Sequence, residues 1–428
     1  MPLMLRTPAR WLRWLTPGLY VKRWLLLLMF SILMVDLGIA YFLKDIYAET
    51  RITGSPGVLA YYGTLQFLPR PVRAFLFGGL GVGLLVFSFY MLQRSILGPF
   101  IPGGDRSVAE LLYSSRVRSR GPRIVSIGGG HGLSTLLRGL KEFTGNLHAI
   151  VTVADDGGSS GRLRDEYRIL PPGDIRQCLV ALADAEPLVK ELFDHRFKDG
   201  TLEGHSFGNL FIMAMAEVTG DIEHAVRESG RVLAVRGEVL PSTLQDVVLC
   251  ASVNGGTVVG ESKIPMQEHP ITRVFLRPDN VEINPEAALA ILNADIVTVG
   301  PGSLYTSILP NLLVHGMVEA IKASPALKVF VCNVASEKGE TDNFGVSDFL
   351  RVLEDHVGSN IFDFVIVNSN HNYTPTGGQS KVLFDMQRMT LGREGPHFIL
   401  TDVVNRRIPS HHDTDKLART IMKKVWRA

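Results

Sequence analysis

Several short turns in this 428-residue chain combine residue types that could bind or transform a charged ligand. Gly128-Gly129-Gly130-His131-Gly132-Leu133-Ser134 follows a short apolar run and precedes an amphipathic stretch. Glycines let a backbone approach a phosphate, and a helix N-terminus behind them adds N–H groups and a favourable dipole. The turn lacks the G-x-G-x-x-G dinucleotide signature, because Leu133 stands at its last position, and no G-K-[ST] follows. A second turn, Ala154-Asp155-Asp156-Gly157-Gly158-Ser159-Ser160-Gly161, pairs two carboxylates. Adjacent carboxylates suit a magnesium ion that bridges phosphates, or they simply form a turn. Asp174, in PPGDIR, either caps a helix or joins that pair. Asn209, in GHSFGN, is placed to cap the next helix or to hydrogen-bond a ligand. Gly300-Pro301-Gly302-Ser303 repeats the order of strand, glycine turn and helix. Two phosphate-type turns with a carboxylate cluster suit a diphosphate. There is no G-x-S-x-G elbow and no H-E-x-x-H, and His411-His412-Asp413 reads as a solvated, capped helix entry.

Turns of this kind act only if a sheet brings them together. From Arg123 onward, β-branched runs alternate with amphipathic stretches. Strands are expected at Ile124–Ile127, Ala149–Val153, Asp295–Val299, Lys328–Asn333 and Phe364–Asn368. Helices are expected at Leu133–Phe143, Ile175–Leu182, Asn209–Val218, Gly302–Leu312, Val346–Leu353 and Thr414–Val425. Several strands are apolar throughout, as in a parallel sheet covered on both faces. The pattern predicts an α/β, Rossmann-like, doubly wound parallel sheet. Residues 160–229 read as a helical insertion, and 231–277 as a small antiparallel excursion. In such sheets ligands sit at the carboxyl ends of strands, where the strand order reverses.

The amino-terminal quarter has a different character. Mean hydropathy is +0.16, and the excess apolar content is concentrated in two runs. WLLLLMFSILMVDLGIAYFL, residues 24–43, carries only Asp36 as a charge, and AFLFGGLGVGLLVFSFYML, residues 74–92, carries none. Each is long enough to cross a bilayer. The expected organisation is a cytoplasmic segment 1–23, a two-helix transmembrane hairpin over 24–97, a linker 98–122 and a ligand-binding domain 123–428. Basic residues flank the outer ends of the hairpin, which predicts an inner-membrane protein whose soluble domain faces the cytoplasm. The net charge of +2 and the absence of a nucleic-acid motif argue against a nucleic-acid partner. Three scattered cysteines argue against a disulfide framework or a structural zinc site.

Taken together, GGGHGLSTLLRGLK, VTVADDGGSSGRLR, PPGDIRQCLVALA, GHSFGNLFI, ADIVTVGPGSLYTSILPNLLV and CNVASEKGETDNF resemble the YvcK/CofD-like family. That family comprises gluconeogenesis-factor proteins and 2-phospho-L-lactate transferases. The resemblance runs from about Arg123 to the C-terminus and implies a Rossmann-like core that binds nucleotide ligands. His131 stands where many members carry threonine. The YvcK branch, which the motif wording favours, implies a UDP-sugar-binding regulator tied to cell shape and to growth on gluconeogenic carbon. The transferase branch implies a phosphotransferase with a guanosine diphosphate-linked donor and magnesium. Whether this chain catalyses is left open, and no NAD is expected. Carried over by position, the resemblance places the ligand at Gly129, Gly130, Gly132 and Ser134, with Asn209, Gly300, Gly302 and Ser303 facing it. Asp155, Asp174 and Asp156 become metal-side or diphosphate-side residues. The expected partners are the UDP-sugar and, through the hairpin, membrane lipid, with room for a homo-oligomer.

Overall fold

The computed structural model describes residues 120–184, 187–385 and 395–426, together with scattered residues between 32 and 83. Among the described residues, no helix is long and apolar enough to cross a membrane. The two expected spans, 24–43 and 74–92, lie almost wholly outside them. The chain divides into two compact units, Met1–Val117 and Arg118–Ala428, and the second is described below.

Seven parallel strands form its central sheet, in the order β10-β9-β8-β7-β1-β2-β3. The sheet begins in its middle with β1 (Ile124–Gly128) and grows one way through β2 (Leu147–Val151) and β3 (Glu238–Pro241). It then restarts on the other side of β1 with β7 (Ile296–Val299), β8 (Leu327–Val331), β9 (Phe364–Asn368) and β10 (His397–Thr401). The strand order therefore reverses between β1 and β7, which pair in register from Ile124 opposite Ile296 to Ile127 opposite Val299. Side chains of β1 and β2 enter two separate cores. Val125, Ile127 and Ile150 pack on one face, while Ile124, Leu147, Ala149 and Val151 pack on the other. Both faces are buried, which is why these strands read as continuous apolar runs rather than as alternating ones.

Helix α1 (Gly130–Leu140) follows β1 and covers one face with Leu133, Leu136, Leu137 and Leu140, all fully buried. That spacing of three and four residues makes one apolar stripe, and each leucine contributes about 1.5–3 kcal/mol of burial. The expected helical insertion is present between β2 and β3. It comprises α2 (Gly158–Tyr167), α3 (Pro172–Leu182), α4 (Pro187–Asp194), α5 (Phe207–Thr219) and α6 (Ile222–Val232). The antiparallel excursion is smaller than expected. Residues 238–241 join the parallel sheet as β3, and a separate three-stranded sheet is made by β4 (Val248–Val253), β5 (Gly256–Val259) and β6 (Ile271–Arg277). After α7 (Pro285–Leu292) the chain enters β7.

The expected helix at 302–312 is interrupted. A π-helical turn, Leu304–Ile308, precedes a short α8 (Leu309–Leu312), in which Pro310 has no N–H to donate. The chain continues through α9 (Met317–Ala323), α10 (Val346–Val357) and α11 (Thr414–Thr420). Helix α11 lies against α1 at Gly139, where a Cβ would meet the Thr414 carbonyl at 2.4 Å. Only a residue without a side chain permits that approach. It brings the preceding Ser410–His412 to the carboxyl end of the sheet.

Candidate functional site

A cavity of about 440 Å³ opens at the point where the strand order reverses. Residues that follow four strand ends line it. They are Gly129, Gly130 and Gly132 after β1, Asp155 after β2, Gly302 and Ser303 after β7, and Asn333 with Glu337 after β8. The two glycine turns meet backbone to backbone. A Cβ on Gly132 would lie 2.4 Å from the Pro301 carbonyl oxygen, so glycine there is a condition of the cleft's shape. Asn333 holds the second turn with a two-way clamp. Its Nδ2 donates to the Gly302 carbonyl at 2.9 Å, and its Oδ1 accepts from the Gly302 N–H at 3.3 Å.

The helix N-termini behind both turns are occupied by acids of the protein itself. Asp174 accepts the N–H of Gly130, the first residue of α1. Burial and the neighbouring Asp155 push the Asp174 carboxyl up to about 7. Glu340 plays the same part at the π-helical turn. It accepts the Tyr305 N–H at 3.3 Å and the Thr306 hydroxyl at 3.0 Å, and burial raises it to about 8. Such carboxylates answer the orphan N–H groups and the dipole of a helix start. Three further acids line the cleft. Asp155 accepts from the Gly157 N–H at 2.8 Å, and burial raises its pKa. Glu261 reaches in from the three-stranded sheet, where burial and then Asp155 push it to about 8. Glu337 accepts from the Ser303 hydroxyl and is raised by burial.

The structure sorts the expected site residues. Gly129, Gly130, Gly132, Gly302, Ser303, Asp155 and Asp174 border the cleft. Gly300 stands just behind it, with its N–H donating to the Ile127 carbonyl at 2.9 Å. Three residues turn elsewhere. Ser134 is buried in α1, and its hydroxyl donates to the His131 carbonyl at 3.0 Å. Asn209 is buried between Arg176, which donates to its Oδ1 at 3.1 Å, and Ser159, which accepts from its Nδ2 at 3.1 Å. The cap of α5 is Ser206, not Asn209. Asp156 faces the segment after β5, accepting the Ser262 N–H at 2.8 Å, and is not on the lining of the cleft.

Sequence reasoning missed Glu261, Asn333, Glu337 and the histidines beside α11. Asn333 and Glu337 lie directly after β8, where the rule of looking past each strand would have found them. Glu261 carries no local signal. The expected solvated entry at His411-His412-Asp413 is corrected in part. Asp413 does cap α11. His412 is buried, with Nε2 3.2 Å from the Cys332 carbonyl, and desolvation lowers its pKa to about 4. His411 is exposed on the rim of the cleft.

Magnesium takes hard oxygen donors and retains waters or phosphate oxygens in part of its shell. Asp155 and Asp174 offer such oxygens. Among the described residues, no group of three or more His, Cys, Asp or Glu is placed to hold a metal ion. An ion beside these two carboxylates would therefore complete its shell with waters or ligand oxygens.

Comparison with known proteins gives a consistent result. The family model described as 2-phospho-L-lactate transferase CofD matches residues 124–404. A putative gluconeogenesis factor of Nostoc sp. (strain PCC 7120) is 43% identical over 430 residues, spanning 97% of this chain and 92% of that protein. The gluconeogenesis factor of Bacillus subtilis (strain 168) is 53% identical over 250 residues, spanning 58% of this chain and 79% of that protein. A crystal structure of a UPF0052 family member from Bacillus halodurans superposes with a TM-score of 0.67 at 43% identity, covering 71% of this chain and 99% of that one.

Proposed function

This chain belongs to the CofD family, among relatives named gluconeogenesis factor, and from that premise we propose that it is a membrane-anchored regulator that binds a UDP-sugar in the cleft between β1 and β7. Its output is control of cell shape and of carbon metabolism. One observation carries the binding part. Two glycine turns meet at the reversal of strand order and open a cavity of about 440 Å³. That is the place and the size at which open α/β sheets take small molecules. The lining is polar, and it includes one buried acceptor without a protein partner, Oε1 of Gln177, suited to a ligand hydroxyl. The glycine turns keep side chains out of the diphosphate's path, while Asn333 fixes the position of Gly302. Anchoring rests on the two apolar runs at 24–43 and 74–92 and on the basic residues beside them.

A second reading draws on the acids. Asp155 and Asp174 border the same cavity, and magnesium held there with ligand oxygens would offset charge on a leaving diphosphate. In that reading the chain is a phosphotransferase of the phospholactate-transferase type, and its own residues contribute positioning and electrostatics rather than a nucleophile. Equilibrium dialysis of the full-length chain against labelled UDP-N-acetylglucosamine, with chromatography of the recovered ligand, separates the two. Retained and unaltered ligand supports the regulator. A transferred group, seen when a guanosine diphosphate-linked donor, an acceptor and magnesium are supplied, supports the enzyme. Failure to retain any nucleotide refutes both.

A further inference from the structure

The hydroxyl groups of the cleft are unevenly occupied. Six side chains on its lining carry one: Thr135, Thr152, Ser303, Thr306, Ser307 and Ser410. Five are engaged within the protein. Thr135 donates to the His131 carbonyl at 2.8 Å, and Thr306 donates to Glu340 at 3.0 Å. Ser303 donates to Glu337. Thr152 accepts the Ala154 N–H at 3.3 Å, and Ser410 accepts the Thr376 N–H at 2.7 Å. Among the described residues, the Ser307 hydroxyl has no hydrogen-bond partner.

Its freedom has a local cause. A serine in a helix commonly turns its hydroxyl back to the carbonyl four residues earlier. For Ser307 that is the Ser303 carbonyl, which already receives the N–H groups of Ser307 and Ile308, each at 2.9 Å. An α-helix asks such a carbonyl for one N–H bond, and the π-helical turn asks for two, so both lone pairs are taken. The position of Ser307 is fixed from two sides. Asn311, fully buried, donates through Nδ2 to the Ser307 carbonyl at 2.7 Å and to the Gly128 carbonyl at 2.9 Å. That amide ties the π-helical turn to the root of the first glycine turn. A Cβ on Gly129 or on Gly302 would lie 3.4 Å from the Cβ of Ser307. Ser307 therefore stands between the two glycine turns, at contact distance from the space each glycine leaves open.

We infer that Ser307, rather than Ser303, supplies the hydroxyl that meets the ligand's diphosphate. The inference rests on the nucleotide-diphosphate reading and names the side chain that makes the contact. A diphosphate lying along both glycine turns passes over Ser307. Among the described residues that line the cleft there is no lysine and no arginine, so phosphate oxygens must draw on neutral donors. A hydroxyl whose proton is unclaimed is such a donor, and its bond to an anionic oxygen is charge-assisted. Ser303 holds the expected place in the sequence, yet its proton is committed to Glu337.

The test titrates UDP-N-acetylglucosamine into the full-length parent, into Ser307→Ala and into Ser307→Cys, and records the phosphorus NMR spectrum of each at saturating ligand. Alanine removes the hydroxyl, and cysteine keeps a side chain of similar shape while giving up the strong donor, so a loss shared by both variants is not the effect of a void. Both are expected to bind about tenfold more weakly than the parent, the size of a lost hydrogen bond to a charged group. At least one of the two bound phosphorus resonances is expected to move in both variants. Parent-like affinity in either variant overturns the assignment of Ser307 while leaving the ligand class standing. Weaker binding with both bound phosphorus resonances at their parent positions puts Ser307 on the sugar or the nucleoside and overturns the diphosphate contact. No binding by the parent chain overturns the ligand class itself, and the assignment with it.

Discussion

Asp174 gives the sharpest handle on the cleft, because its carboxylate closes the start of α1 while sitting beside Asp155. Asp174→Asn keeps an acceptor for the Gly130 N–H and removes the charge. In the fold, burial and then the field of Asp155 raise this carboxyl from 3.8 to about 7, against the opposing pull of the Gly130 N–H and Arg176. Between those two pH values the native chain holds a proton that the unfolded chain has lost, so native stability falls as pH rises through the window and levels off above it. At about 1.4 kcal/mol per pH unit, the Asp-to-Asn difference grows from near zero below about pH 4 to roughly 4 kcal/mol above about pH 7. Thermal unfolding of parent and variant at about pH 4.5 and about pH 8.5 reads this directly. The variant is expected to melt close to the parent in acid and on the order of 5 °C higher in base. A difference that does not change with pH, or a variant that melts lower in base, refutes the assignment of Asp174 as a half-buried carboxylate held against its charge. Glu261 and Glu340, both raised to about 8, steepen the parent's own pH dependence in the same direction.

Three other expectations follow from the same geometry. Asn333→Ala frees both polar groups of Gly302 and should cost about 1–3 kcal/mol, seen as a lower denaturation midpoint with weaker ligand binding; an unchanged midpoint would remove Asn333 from the clamp. Gly132→Ala sets a methyl group 2.4 Å from the Pro301 carbonyl and so forces the two turns apart. It should abolish nucleotide retention while circular dichroism stays native, and parent-like retention would show that the turns need not touch. The full-length chain should pellet with membranes through high-salt washes and be released by detergent, whereas recovery in the salt wash would contradict the hairpin.

Much of the fold was legible in the sequence because its signals are local. β9 runs over the residues its apolar run predicts, and β1 differs only by the added Gly128. The leucine stripe of α1 and the glycine turns after β1 and β7 depend on spacing alone. What escaped was set by contacts distant in sequence. Asp174 lies in the first turn of α3, where it reads as a cap for its own helix, yet it closes α1. Asn209 is held by Arg176 and Ser159, two partners distant in sequence that its own turn does not announce. Asp155 and Asp156 are neighbours in the chain, but the turn sends one into the cleft and the other toward Ser262. Glu261 and Glu340 arrive from elements whose placement no local pattern announces. The acidity of the cleft is therefore a tertiary property.

The central claim is that the cleft between β1 and β7 is built for a uridine diphosphate sugar. Calorimetric titration of the full-length chain with UDP-N-acetylglucosamine, with guanosine diphosphate and NADH as controls and with magnesium present or absent, tests it most directly. The account predicts saturable binding of the UDP-sugar, weaker binding of the guanine nucleotide and none of NADH. Preference for the guanine nucleotide, present only with magnesium, would contradict the regulator reading and favour the transferase.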